Sequence, residues 1–398
     1  MKSIIKSLMV LSALLLLVAG CEYDGPTSQW KLVEPETDPP VITEVDPSVA
    51  LAGMNYITIH GDNFTDNQEN VSVYISGYQT EIVDFSNSLI KVRRPDRSGD
   101  SLSIRVDIFG DVNLGRWEPY TVASVYEPYG EFLSGNPLAS LSIDEQENIY
   151  VAENTTAHDV YEISASGEKK VLGHGNSTMY GSAIQPNGKL LIFSNNEEIY
   201  SVEPDSLMLY ATAVENVKIG VFDSQGILFA SGNRADINIV LPDRTARTAG
   251  LYPRDEVLCL RVVDNMLFAL ISLRSPDASH PAMAIWRHQI LDDQGNLGDP
   301  ELVFDWASAG EAYAESEPAT FTLDTEGGIY IGSDNAAPIL YYDPSTGHMD
   351  DIYKGILPSA VTKLLWGSGD YMYMIYSGGA TDYNLFRIDM GRPQDRDF

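Results

Sequence analysis

Four short clusters of acids and amides recur along the C-terminal part of the chain: Glu153-Asn154, Asn195-Asn196, Gly232-Asn233 and Asp334-Asn335. Carboxylate and amide oxygens are what hard cations prefer, so Glu153, Asn195, Asn233 and Asp334 are a candidate calcium set if the fold brings them together. With Asn154, Asn196 and Asn335 they make a candidate ligand-binding cluster. Asn, Asp and Gly equally suit tight turns between strands, and the sequence leaves both readings open. A second group, Trp286, Trp306 and Tyr313, sits among many acids between about Ser275 and Glu317. Rings beside carboxylates suit sugar binding, because apolar sugar faces lie on rings while hydroxyls bond to acids; the same rings also suit packing between sheets. No nucleophile elbow, His-Glu-x-x-His or phosphate-binding glycine loop is present. The six histidines, His60, His158, His174, His280, His288 and His348, are scattered over turns and strand ends, which argues against a histidine-based site.

The elements that must position these residues are strands. Set in register, Asn148-Ile149-Tyr150-Val151, Lys189-Leu190-Leu191-Ile192, Ile227-Leu228-Phe229-Ala230 and Ile329-Tyr330-Ile331 each follow a turn with Asp144, Gln185, Asp223 or Asp324 at its head. Looser copies run Asp264 to Ala269 and Asp370 to Met374. A strand-only repeat of about 40 residues marks a propeller of four-stranded blades, here six of them over residues 123–398. The last copy lacks an outermost strand, and a closed ring leaves no free edge, so Ser124-Val125-Tyr126-Glu127 is expected to supply it. The pattern resembles the NHL-like and gluconolactonase-like six-bladed propellers. That resemblance implies a site at the mouth of the central channel, where loops from every blade meet. It also implies an alternative function: calcium-dependent hydrolysis of a lactone or ester, with Glu153, Asn195, Asn233 and Asp334 holding the metal that polarises the carbonyl and activates water.

Upstream, Tyr56-Ile57-Thr58-Ile59, Val71-Ser72-Val73-Tyr74-Ile75, Leu89-Ile90-Lys91-Val92 and Leu102-Ser103-Ile104-Arg105-Val106 alternate with period two, predicting a β-sandwich over residues 39–122. Pro40-Val41-Ile42, Pro47, Ala52-Gly53 and above all Gly61-Asp62-Asn63-Phe64 resemble the IPT/TIG family of immunoglobulin-like domains, which serve as spacers or protein-contact modules. The fold class is therefore all-β: an N-terminal immunoglobulin-like sandwich followed by a six-bladed propeller.

The N-terminus reads as an export signal over residues 1–20: Lys2 and Lys6, then an apolar run from Leu8 to Val18, too short to span a bilayer. Leu17-Val18-Ala19-Gly20-Cys21 resembles the lipobox of bacterial lipoproteins, which implies lipidation of Cys21. The acids Glu22 and Asp24 resemble the Bacteroidetes-type signal for the outer face of the outer membrane. Residues 21–38, with Pro26 and Pro35, read as a tether. The other cysteine, Cys259, lies in the apolar run Val257 to Leu260 and reads as a buried strand residue. A formal net charge of -32 repels phosphate and excludes nucleic acid as a partner. The expectation is a surface lipoprotein that binds a glycan or an envelope protein through its propeller, with no cofactor beyond possible calcium.

Overall fold

The computed structural model describes residues 38–390, apart from 51–55, 96, 110–113, 134, 176, 278–279 and 380–381. Cys21 and the Ala52-Gly53 pair lie outside the described residues.

Two sheets form the N-terminal sandwich. One holds Val41–Asp46, Tyr56–Asp62, Leu89–Arg93 and Ile82–Phe85; the other holds Val49–Ala50, Gly115–Val122, Gly99–Ile108, Val71–Ile75 and Tyr78–Thr80. Period-two alternation sends Ile57, Ile59, Val73, Ile75, Ile90, Val92, Ile104 and Val106 into one shared core. The Gly61-to-Phe64 corner has a steric cause. A Cβ on Gly61 would lie 2.0 Å from the Val41 carbonyl oxygen and 2.3 Å from the Phe64 ring, so only glycine lets that ring close the core. Asn63 takes positive φ and ties the corner to the Pro39 carbonyl at 3.1 Å.

The rest forms six four-stranded antiparallel sheets. Blade 1 runs Ser142–Ile143, Ile149–Glu153, Asp159–Ile163 and Lys169–His174. Blades 2 to 5 open on Gly181–Ile184, Ile219–Phe222, Glu256–Val263 and Pro318–Leu323. Blade 6 takes Val361–Trp366, Tyr371–Gly379 and Asp382–Asp389, and its outermost strand is Tyr126–Pro128, paired antiparallel with Asp382–Asp389. The chain thus closes the ring with the segment that enters it, as the edge argument expects. Successive first strands touch one another, so they ring the axis. Apolar side chains fill the spaces between neighbouring sheets, as Phe229 and Ile239 of blade 3 do against Leu260 and Trp286 of blade 4.

The repeated turn between first and second strands is held by its aspartate. Oδ1 of Asp144 accepts from the backbone N–H of Gln146 and Asn148, that of Asp223 from Gln225 and Ile227, and that of Asp324 from Glu326 and Gly328. Tyr150 and Tyr330, six residues on, donate to the second oxygen of Asp144 and Asp324. The stretch between about Ser275 and Glu317 is mostly blade 4 itself. Met283–Gln289 and Glu301–Asp305 are its third and fourth strands, followed by two 3-10 turns, Trp306–Ala309 and Glu311–Tyr313.

Candidate functional site

The acid-amide clusters end second strands in blades 1, 2, 3 and 5, on the end of the ring where each chain segment also enters its first strand. Glu153 is buried and accepts from Asn136 Nδ2 at 2.6 Å and Tyr161 Oη at 3.2 Å. Asn154 clamps two blades: Nδ2 donates to the Met179 carbonyl at 2.7 Å and Oδ1 accepts from the Met179 N–H at 2.9 Å. Asn196 Oδ1 accepts from Glu198 N at 3.0 Å. Asp334 Oδ1 accepts from Glu317 N at 2.8 Å, and Asn335 spans Ala312 and Ala337. Asn233 Oδ1 accepts from the Lys218 ammonium.

These bonds bear on the calcium expectation. Glu153 and Asp334 already accept donors of their own blades, and an ammonium sits on the oxygen that Asn233 would give a cation. Among the described residues, no group of three or more His, Cys, Asp or Glu is arranged to hold a metal ion. The four-oxygen set does not fit calcium as it stands, because a dication beside Lys218 would be repelled.

Asn195 is different. Held at positive φ, it donates its backbone N–H to Val217 O at 2.9 Å, yet its side-chain oxygen is buried without a hydrogen-bond partner. The same holds for Ser194 Oγ and for Asn216 Oδ1, whose Nδ2 donates to Asn233 O at 3.2 Å. A Cβ on Gly232 would lie 2.1 Å from Asn216 Oδ1, so that glycine makes the space the amide occupies.

The aromatic expectation needs correction. Trp286, Trp306 and Tyr313 are only 4%, 9% and 3% exposed, and no sugar face can lie on them. They pack between blades 3 and 4 and between blades 4 and 5, with Trp306 Nε1 donating to Ser316 O at 2.9 Å and Tyr313 Oη donating to Asp351. Cys259 is buried and free, as its apolar run implies.

The sequence reading missed Ser194, Asn216 and three cations on or beside first strands: Lys218, Arg261 and Lys363. Their signal was a basic residue inside an apolar run, as in Val217-Lys218-Ile219, Leu260-Arg261-Val262 and Thr362-Lys363-Leu364. Arg261 reaches from blade 4 past blade 5 to donate to the Leu364 carbonyl of blade 6 at 2.8 Å, which places its guanidinium in the channel. A shallow cleft at the opposite end, between blades 2 and 3, is lined by Gln185, Lys189, Tyr210, Gln225 and Arg244.

Residues 40–115 match the IPT/TIG domain family. No curated protein matches the chain. Among solved structures, the fold is similar to an auxiliary nutrient binding protein from Bacteroides ovatus at 12% identity, covering 89% of this chain and 98% of that one with a TM-score of 0.50. It is also similar to regucalcin, a calcium-binding protein from Agrobacterium tumefaciens, at 14% identity over 69% and 97% of the two chains, TM-score 0.52. A gluconolactonase from Xanthomonas campestris gives 12% identity, 74% and 91% coverage, and a TM-score of 0.49. At these identities the likeness is one of fold. The chain carries an IPT/TIG domain followed by a six-bladed propeller.

Proposed function

We propose that the protein is a lipid-anchored cell-surface binding protein whose propeller takes a glycan at the channel mouth, with the IPT/TIG domain as spacer. The observation that carries this reading is the trio of buried, unpartnered oxygens Ser194 Oγ and Asn195 Oδ1, in the turn after the second strand of blade 2, and Asn216 Oδ1, near the end of its fourth strand beside Gly232 of blade 3. A buried acceptor without a donor costs about 1–3 kcal/mol; the three residues keep partial exposure, so a turn of each side chain would bring its oxygen to a sugar hydroxyl. The lipobox ending at Cys21 supports the anchor. Among the described residues, no helix is long and apolar enough to cross a membrane. The Bacteroides ovatus neighbour, described as a nutrient binding protein, supports uptake as the setting.

Affinity electrophoresis against a panel of neutral and acidic polysaccharides tests the reading. At least one polysaccharide should retard the protein, and Asn195→Ala and Asn216→Ala should each weaken the retardation. Migration unaffected by every polysaccharide, or retardation unchanged in both variants, would refute it.

A further inference from the structure

Three basic residues, Lys218, Arg261 and Lys363, lie on or beside the inner strands of a chain whose formal charge is -32. Lys218, Arg261 and Lys363 belong to blades 3, 4 and 6, so nothing in local sequence brings them together. Arg261 crosses the interior to Leu364 O, its other amino group donates to Leu260 O at 2.8 Å, and its Nε is buried with no partner. Lys363 lies deep within the molecule yet keeps accessible surface, which places it against the channel rather than in apolar packing.

Burial pulls the Lys363 ammonium below the ordinary lysine range; Cys259 opposes this, and the charges of Arg261 and Lys218 add to it. Blades 3 and 6 face each other across the ring, so Lys218 and Lys363 approach the channel from opposite sides. Lys218 is lowered by burial too, with Glu256 opposing, and its ammonium also lies 5.1 Å over the Tyr180 ring. Among the described residues none of the three cations forms an ion pair. Carbonyls hold Arg261, but no carboxylate pairs with the three half-buried charges, and cations gathered without one repel.

We infer that the channel binds an anionic group, the carboxylate of an acidic sugar, held by the guanidinium of Arg261 and the ammonium of Lys363, with Lys218 at the rim. This rests on the reading of the mouth as a glycan site and specifies its ligand as a uronic-acid-bearing saccharide. A carboxylate accepts from a guanidinium and an ammonium together in the strong, charge-assisted way. The unpartnered oxygens of Ser194, Asn195 and Asn216 would then accept from the hydroxyls of the same ligand. The acidic outer surface repels such anions, which leaves the channel as the favourable place.

Calorimetry on the protein separates the possibilities, with glucuronate, glucose and inorganic sulfate as probes at low and at physiological salt. Glucuronate should bind at one site and glucose far more weakly. Lys363→Met and Arg261→Met should each weaken glucuronate by on the order of tenfold or more. Added salt should weaken it further. Both variants should fold, since apolar replacement of a buried charge is often neutral or stabilising, and thermal melting checks that. Sulfate binding lost in both variants, with no response to either sugar, would keep the anion site and overturn the glycan reading. Equal affinity for glucose and glucuronate, or glucuronate binding unchanged in folded Lys363→Met, would overturn the anion site and leave the glycan reading standing. No heat with any probe would overturn the anion site.

Discussion

Gly232 is where a single atom decides the shape of the mouth. Replacing it by alanine drives a Cβ into Asn216 Oδ1 and the Asn216 carbonyl oxygen, at 2.1 and 2.6 Å. Gly232→Ala should therefore destabilise by about 1–3 kcal/mol in urea melts and displace the amide from the site. His288 makes a second residue-scale prediction. It is buried, with Nδ1 donating to Gly298 O at 2.9 Å and Nε2 bonded to Tyr252 Oη at 2.7 Å, an environment that disfavours the imidazolium. Burial lowers its pKa from 6.5, with the Gly298 bond opposing. The folded state then binds fewer protons than the unfolded one below pH 6.5, and stability falls as pH drops through that value. The contribution is at most about 1.4 kcal/mol per pH unit. Urea midpoints between pH 7.5 and 5.5 should show a steeper loss in the wild type than in His288→Leu; equal slopes would refute the assignment. Neither effect was legible in the sequence, because a buried histidine and an exposed one look alike there.

At the scale of the element, the turn aspartates were legible as a pattern and the structure supplies their cause. Asp324 Oδ1 accepts from two backbone N–H groups, and Tyr330 donates to its other oxygen. Asp324→Ala should cost about 1–3 kcal/mol in a denaturant melt, because buried donors lose their acceptor. Asp223 differs: burial raises its pKa against the pull of its backbone bonds, and its Oδ2 is buried without a partner. Asn at this place keeps the acceptor and removes a buried charge, so Asp223→Asn should melt no lower than the wild type. The aromatic residues show where pattern reading fails. Trp286, Trp306 and Tyr313 lie among acids as sugar-stacking rings do, yet the same rings fill the spaces between blades, and only burial distinguishes the two uses. The acid-amide clusters were legible as turns at one end of the ring, but which of their oxygens remain unpartnered depends on donors from neighbouring blades.

The six blades and the sandwich were legible because strand period and repeat length are properties of neighbouring residues. Ring closure was legible too, since an open edge in the last copy had to find a strand. A chain beginning at Gly130 loses Tyr126–Pro128, and with it the pairing to Asp382–Asp389 and the Arg387–Glu127 bridge. It should melt lower and aggregate, whereas a chain beginning at Ala123 should melt close to the intact protein. The sandwich is tied back onto blade 5, where Tyr56 Oη donates to Asp350 at 2.8 Å and Arg93 pairs with the same carboxylate at 3.5 Å. The axis was not legible, because Lys218, Arg261 and Lys363 are far apart in sequence and face one channel only when the ring closes. The most direct test of the account is a crystal structure of the protein grown with an acidic oligosaccharide. Sugar hydroxyls should lie on Asn195 and Asn216 and a carboxylate on Arg261 and Lys363; sugar bound elsewhere, or a calcium ion held by Glu153 and Asp334 at the mouth, would contradict the proposed site.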